Sequence, residues 1–176
     1  MIFRKQNRIH KIWTESLRFH GKACASLALG VRVCDTALSK LGLGAPEPGQ
    51  LVCVSESDGC CVDAIQTGLN CTIGKGHLLF YKTGRLVFTV YDLAGGGSVR
   101  MVTRPGDAEI ICRMRPAEIL SMPEEVLFEF EQARPMTQRV RDRVTKACDS
   151  PGEQPPPREP GVQDCPDVFR KFDLPR

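Results

Sequence analysis

Apolar positions recur every three or four residues from about 8 to 18, which puts Ile9, Ile12, Trp13 and Leu17 on one side of an amphipathic helix. Phe19-His20-Gly21 interrupts that pattern. A second helical period runs from about Cys24 to Leu41 through Leu27, Ala28, Val31, Cys34 and Leu38. Its small residues (Ala23, Ala25, Ser26, Ala28, Gly30) predict a helix that packs very close to a neighbour. The run from Gly42 to Gly49, with Pro46 and Pro48 inside it, predicts a stop and a loop.

Beyond the loop the period changes. Leu51 to Ser55 is short, apolar and β-branched, the pattern of a buried strand. Cys60 to Leu69 reads as a helix entered through Ser57-Asp58-Gly59. Leu78 to Tyr81 and Leu86 to Tyr91 flank Lys82-Thr83-Gly84-Arg85, which predicts a hairpin. After Gly95-Gly96-Gly97, Ser98 to Thr103 reads as a strand, and Glu109 to Met114 as a further one. Pro116 opens a helical turn through Leu120, Pro123 to Gln132 reads as an acidic-apolar helix, and Thr137 to Ala147 as a basic helix. Strands in a meander with helices before and after predict an α+β fold. From Cys148 the composition shifts to Pro, Glu, Asp and Gly, so the expected organisation is a core over residues 1–147 and a Pro-rich tail over 148–176. Val168, Phe169, Phe172 and Leu174 are expected to dock that tail back as a short clip.

With 176 residues, 41% hydrophobic, the chain can bury one core. A net charge of +3 gives no case for nucleic acid as a partner. No stretch approaches the roughly 18 apolar residues of a membrane span. The segment from Met1 to Trp13 is basic and polar, without the apolar run of a secretory signal. The nine cysteines are therefore expected as reduced thiols in a cytoplasm, where metal or redox roles outrank structural bridges.

Four of those thiols fall in three segments: Phe19-His20-Gly21-Lys22-Ala23-Cys24, Asp58-Gly59-Cys60-Cys61-Val62-Asp63, and Asn70-Cys71-Thr72-Ile73-Gly74-Lys75-Gly76-His77. An i, i+4 spacing lets His20 and Cys24 meet on one face, and a thiol at a helix N-terminus favours its thiolate. The competing reading is a half-buried Cys and a solvated His. Cys60 also falls at a helix start, with Asp63 able to bond the backbone N–H groups of the first turn or to orient a neighbouring His or Lys; the competing reading is a buried packing thiol. Cys61 points elsewhere and reads as packing. The third segment is no phosphate loop: Gly68 and Gly74 stand one residue too far apart, and Gly76 replaces the required Ser or Thr. What remains is a flexible loop with a thiol, Cys71, and an ammonium, Lys75, either an anion anchor or a solvated lysine. His77 reads as a surface residue of an edge strand. The basic run from Arg134 to Lys146 has no aromatic platform and reads as a solvated helix face.

Taken together, Phe19-His20-Gly21-x-x-Cys24-x-x-Leu27-Ala28-Leu29-Gly30-x-Arg32, Asp58-x-Cys60-x-Val62-Asp63-Ala64-Ile65-Gln66 and Cys71-Thr72-x-Gly74-Lys75-Gly76 resemble the formylmethanofuran dehydrogenase E-subunit family, over about Ile9 to Thr103. The resemblance implies a thioredoxin-like core with a mixed sheet of about five strands flanked by helices, a homodimer, and a zinc-type site drawing on His20, Cys24 and Cys60. It places Cys71 at or beside that site and Lys75 nearby. It also implies an anaerobic setting, with a larger molybdenum or tungsten one-carbon enzyme as a partner. Two departures stand out. Lys22 replaces the second His of a His-Gly-His motif, leaving a cation as a candidate ligand-binding group, and Ala25-Ser26 replaces Pro-Gly. A C-terminal treble-clef finger, present in longer relatives, cannot be built from the isolated Cys112, Cys148 and Cys165; under oxidation the last two could cross-link the tail.

The expected function is thus a cytoplasmic metal-binding protein with an accessory or metal-handling role in one-carbon and molybdenum-enzyme metabolism. A thiol-redox enzyme cycling Cys24, Cys60 and Cys71 is the first alternative. A binding module for a small anionic cofactor held by Lys75 and Lys22 is the second.

Overall fold

The computed structural model describes residues 2–138, 140–142 and 144. Among them the chain forms, in order, α1 (Ile2–His20), α2 (Ala25–Lys40), β1 (Leu51–Ser55), α3 (Cys61–Gly68), β2 (Leu78–Phe80), β3 (Val87–Asp92), β4 (Ser98–Val102), α4 (Pro105–Arg113), α5 (Pro116–Ser121), α6 (Glu124–Leu127) and β5 (Glu129–Glu131). The strands make one mixed sheet in the order β2-β1-β3-β4-β5, with β1 and β2 parallel and the other pairs antiparallel. The fold is α+β, a mixed five-stranded sheet flanked by helices, with those counts taken among the described residues. No helix among them is long and apolar enough to cross a membrane.

Strand alternation sorts the core into two. Leu51, Cys53, Phe88 and Val90 face α1, α2 and α3, while Val52 and Tyr91 face the other way onto Met136, Val140 and Val144. Nearly all of α2 is buried, from Ala25 to Leu38. Its Arg32 is reconciled with that interior by Asp35, which also accepts from Arg8 of α1 at 2.8 Å. The small residues of α2 have the predicted consequence. A Cβ on Gly30 would lie 2.3 Å from the Cys61 carbonyl oxygen and 2.8 Å from the Cys61 Cα, so α3 crosses α2 at a distance only glycine permits.

Four expectations about elements change. The helix α1 extends back to Ile2, in keeping with the absence of Gly or Pro before Gly21. No β2–β3 hairpin forms, because β1 lies between those strands. Instead the 82–85 turn folds over the end of β1, where Thr83 N–H and Gly84 N–H donate to the Glu56 carbonyl. Residues 109–114 are expected as a strand, but 109–113 belong to helix α4, started by Pro105 at its first turn and by Asp107. The expected 123–132 helix stops after one turn. The chain then pairs with β4 as β5, held by Arg100 on Glu131 and Arg104 on Glu129. Residues 138, 140–142 and 144 are helical, within the predicted basic helix. The Pro-rich tail, its docking clip and Cys148 and Cys165 lie outside the described residues.

Candidate metal centre

Two of the three segments converge because two helices begin at one place. The first, α1, ends at His20, and Gly21 turns the chain with φ +85° while its N–H caps the Leu17 carbonyl at 2.9 Å. Cys24 is the N-cap of α2, and its sulfur accepts from the Leu27 N–H at 3.4 Å. Cys60 precedes α3, and the next N–H, that of Cys61, donates to Ser26 Oγ at 3.1 Å. That bond ties the start of α3 to the start of α2, and Gly30 lets the two helices stay in contact below it.

The result is a group of donors. One ligand atom each from His20, Cys24 and Cys60 lies within 4.8 Å of the others, all half-buried. His20 Nδ1 lies 2.7 Å from Asp63 Oδ2, and its Nε2 lies 3.7 Å from Cys24 Sγ. With the Nδ1 proton donated to the carboxylate, Nε2 presents its lone pair toward the thiols, the arrangement that commonly orients a metal-binding imidazole. Burial pushes the Cys60 thiol up, and the neighbouring Cys24 adds to that, against a smaller opposing effect of Lys22. Two close sulfurs resist carrying charge together unless a cation joins them. Two thiols and an imidazole are the donor set of a zinc-type ion with one position left for another ligand, so the residues fit such a metal.

Other predicted residues go elsewhere. Cys71 is fully buried in the main core, its thiol donates to the Leu51 carbonyl at 3.3 Å, and burial pushes it up to about 12. It packs, and it is not among the converging donors. Lys75 is exposed on its loop and does not line the depression in front of Cys60. Lys22 is exposed and reaches the site only through its charge on Cys60. His77, expected at the surface, is fully buried; burial first, then Lys75, hold it below its ordinary value.

Sequence reasoning misses Lys82. It pairs with Asp58 at 2.6 Å, and both line a depression of about 460 Å³ that also contains His20, Cys60 and Asp63. Its turn carries only the signal of a strand connection, and the folding of that turn over β1 is what brings the ammonium here.

The chain is similar to a probable S-adenosyl-L-methionine-binding protein of Archaeoglobus fulgidus, with 24% identity over 141 residues. That alignment takes in 78% of this chain but 38% of the relative, so the chain spans well under half of the relative's length. The family described as "FmdE, Molybdenum formylmethanofuran dehydrogenase operon" matches residues 19–146. That match contains His20, Cys24, Cys60 and Asp63 together with most of the core, and the chain belongs to the FmdE family.

Proposed function

We propose that this protein holds one zinc-type divalent ion at His20, Cys24 and Cys60, and serves formylmethanofuran dehydrogenase chemistry in an accessory or metal-handling role. The observation that carries the reading is the approach of the three donors within 4.8 Å, with His20 turned by Asp63. Family membership supports the one-carbon setting. A bound ion with an open position supplies Lewis acidity toward an oxygen donor such as a carbonyl, formyl or carboxylate. The chain's own residues supply the rest: Asp63 fixes the imidazole, Gly21 and the α2 cap fix Cys24, and Lys82 provides a positive charge beside the site. The reading includes a cytoplasmic homodimer on a thioredoxin-like core, working with a larger molybdenum or tungsten enzyme.

The test is elemental analysis of anaerobically purified full-length protein beside a free-thiol count. One tightly held metal per chain is expected, lost in a Cys24→Ala/Cys60→Ala double variant. A metal-free protein whose Cys24 and Cys60 oxidise reversibly to a disulfide would replace this reading with the thiol-redox one, now confined to those two thiols because Cys71 is sequestered.

A second reading, binding of a small anionic cofactor, draws support from Lys82 instead of Lys75 or Lys22. The name of the Archaeoglobus relative offers one carboxylate-bearing ligand, S-adenosylmethionine. Loss of ligand binding in Lys82→Met with metal content unchanged is the outcome this reading expects.

A further inference from the structure

The depression in front of Cys60 does not end at the metal donors. Ile73 and Phe80 form part of its wall, and the same two side chains line a second depression of about 710 Å³. That second space is bounded by Leu79, Tyr81, Tyr91, Pro135 and Val140. The two meet around β2, the three-residue edge strand, because Phe80 packs toward the helices while Leu79 packs on the opposite sheet face. Each volume lies within the range of small-molecule sites.

The chemistry differs from end to end. The smaller space holds His20, Cys60, Asp63 and the Asp58–Lys82 pair. That pair is well exposed on both sides, so exchanging Asp58 for another anion costs little. The larger space is walled mainly by aliphatic and aromatic groups; Arg134 and Thr137 add polar lining at one side, where the Tyr91 hydroxyl donates to the Arg134 carbonyl at 2.8 Å. On the rim Ile73 is 53% exposed and Tyr81 71% exposed, two large apolar side chains left in water next to a polar site.

We infer that the metal centre is the head end of one continuous cleft, built for a small molecule with an oxygen-donor or anionic head and a ring-sized apolar arm. The head meets the metal and Lys82; the arm passes between Ile73 and Phe80 and rests against Leu79, Tyr91 and Val140. This rests on the metal reading above and adds the class of ligand that the site takes.

The experiment uses the full-length protein loaded with Co²⁺, whose visible absorption reports ligand exchange at the metal. Acetohydroxamate supplies the head alone; a series of phenylalkyl hydroxamates of increasing chain length supplies the same head with an arm. The best phenylalkyl member is expected to bind at least about ten-fold more tightly than acetohydroxamate, the gain for burying a ring-sized apolar group. In Ile73→Ala, and separately in Tyr81→Ser, that advantage should shrink to about three-fold or less, while acetohydroxamate binds as before in Tyr81→Ser, because Tyr81 lines the larger space alone. Both positions are exposed enough to change without disturbing the core. Cobalt bound normally with no preference for an arm overturns this inference and leaves the metal reading standing. An arm preference untouched by both variants also overturns it, since the arm then lies outside the cleft. Failure to bind cobalt overturns both readings.

Discussion

Replacing Gly30 with alanine adds one carbon at the point where α2 and α3 touch. That carbon would sit 2.3 Å from the Cys61 carbonyl oxygen, 2.8 Å from the Cys61 Cα and 2.9 Å from the Ala64 Cβ. Ordinary contact begins near 3.4 Å, so the helices must part by about 1 Å, and two of the three obstructing atoms are backbone. Overpacking of this kind costs about 1–3 kcal/mol, and immovable neighbours argue for the upper end. Alanine's better helix propensity returns about 1 kcal/mol, for a net loss of roughly 2 kcal/mol. Urea unfolding followed by circular dichroism reads this directly as a lower midpoint with unchanged slope. The same displacement separates the starts of α2 and α3, where Cys24 and Cys60 sit. Metal sites tolerate distance errors of only about 0.2 Å, so cobalt affinity should fall at least ten-fold. Gly68→Ala is the control: its new carbon also crowds the core, 2.7 Å from Ile12 Cγ2 and 2.9 Å from Cys34 Sγ, but at the end of α3 away from Cys60, so it should cost stability and leave cobalt affinity nearly intact. A Gly30→Ala protein with the parental midpoint and the parental cobalt affinity would refute the idea that this crossing sets the site.

Three further outcomes follow from other contacts. Asp63→Asn keeps the shape but loses the carboxylate that faces His20 Nδ1, so metal affinity should drop about 10–100-fold in a competition titration, with little change in fold stability. If Asp63→Asn binds as tightly as the parent, the carboxylate does not orient the imidazole. Asp35→Ala leaves the buried Arg32 without its carboxylate and takes the ion pair from Arg8, so chemical unfolding should show a loss of about 3–5 kcal/mol; a change under 1 kcal/mol would mean the pair is dispensable. Burial first, then Lys75, hold His77 below the ordinary value near 6.5 that it takes in the unfolded chain. As pH falls below that value the unfolded state takes up a proton the folded state resists, so stability declines by at most about 1.4 kcal/mol per pH unit from this group. His77→Gln should flatten the decline measured between pH 7.5 and 5.5, and an identical slope in both proteins would count against it.

The two candidate thiols are legible in the sequence as residues at helix starts, and the resemblance to the FmdE family is what groups them with His20. His20 and Cys24 straddle a glycine turn, Cys60 follows Asp58-Gly59, and local geometry alone predicts sulfur atoms at two helix N-termini. That the two starts coincide in space is carried by Gly30 and its small neighbours, which announce a close partner without naming it. Cys71 looks the same as Cys60 in the sequence, since both adjoin a glycine-bearing turn. Only tertiary burial separates them, and burial is what turns one thiol into a packing group. The 78–91 region misleads for a related reason. Residues 82–85 do form a turn, but a turn does not fix which strands pair, and β1 outcompetes β3 for the edge of β2. The helix at 105–113 has the look of a strand because the Ile110-Ile111 pair outweighs the start signal of Pro105 and Asp107.

The donors also bracket a long stretch of chain. Between Cys24 and Cys60 lie all of α2, the proline loop and β1. An ion gripping both cysteines would therefore act as a removable staple, closing a loop whose entropy in the unfolded chain is worth roughly 4 kcal/mol on the scale used for disulfides of that span. Such a staple would tie the lifetime of the N-terminal half to metal supply: stability would rise with the logarithm of free ion above its dissociation constant, and the stripped chain would unfold first.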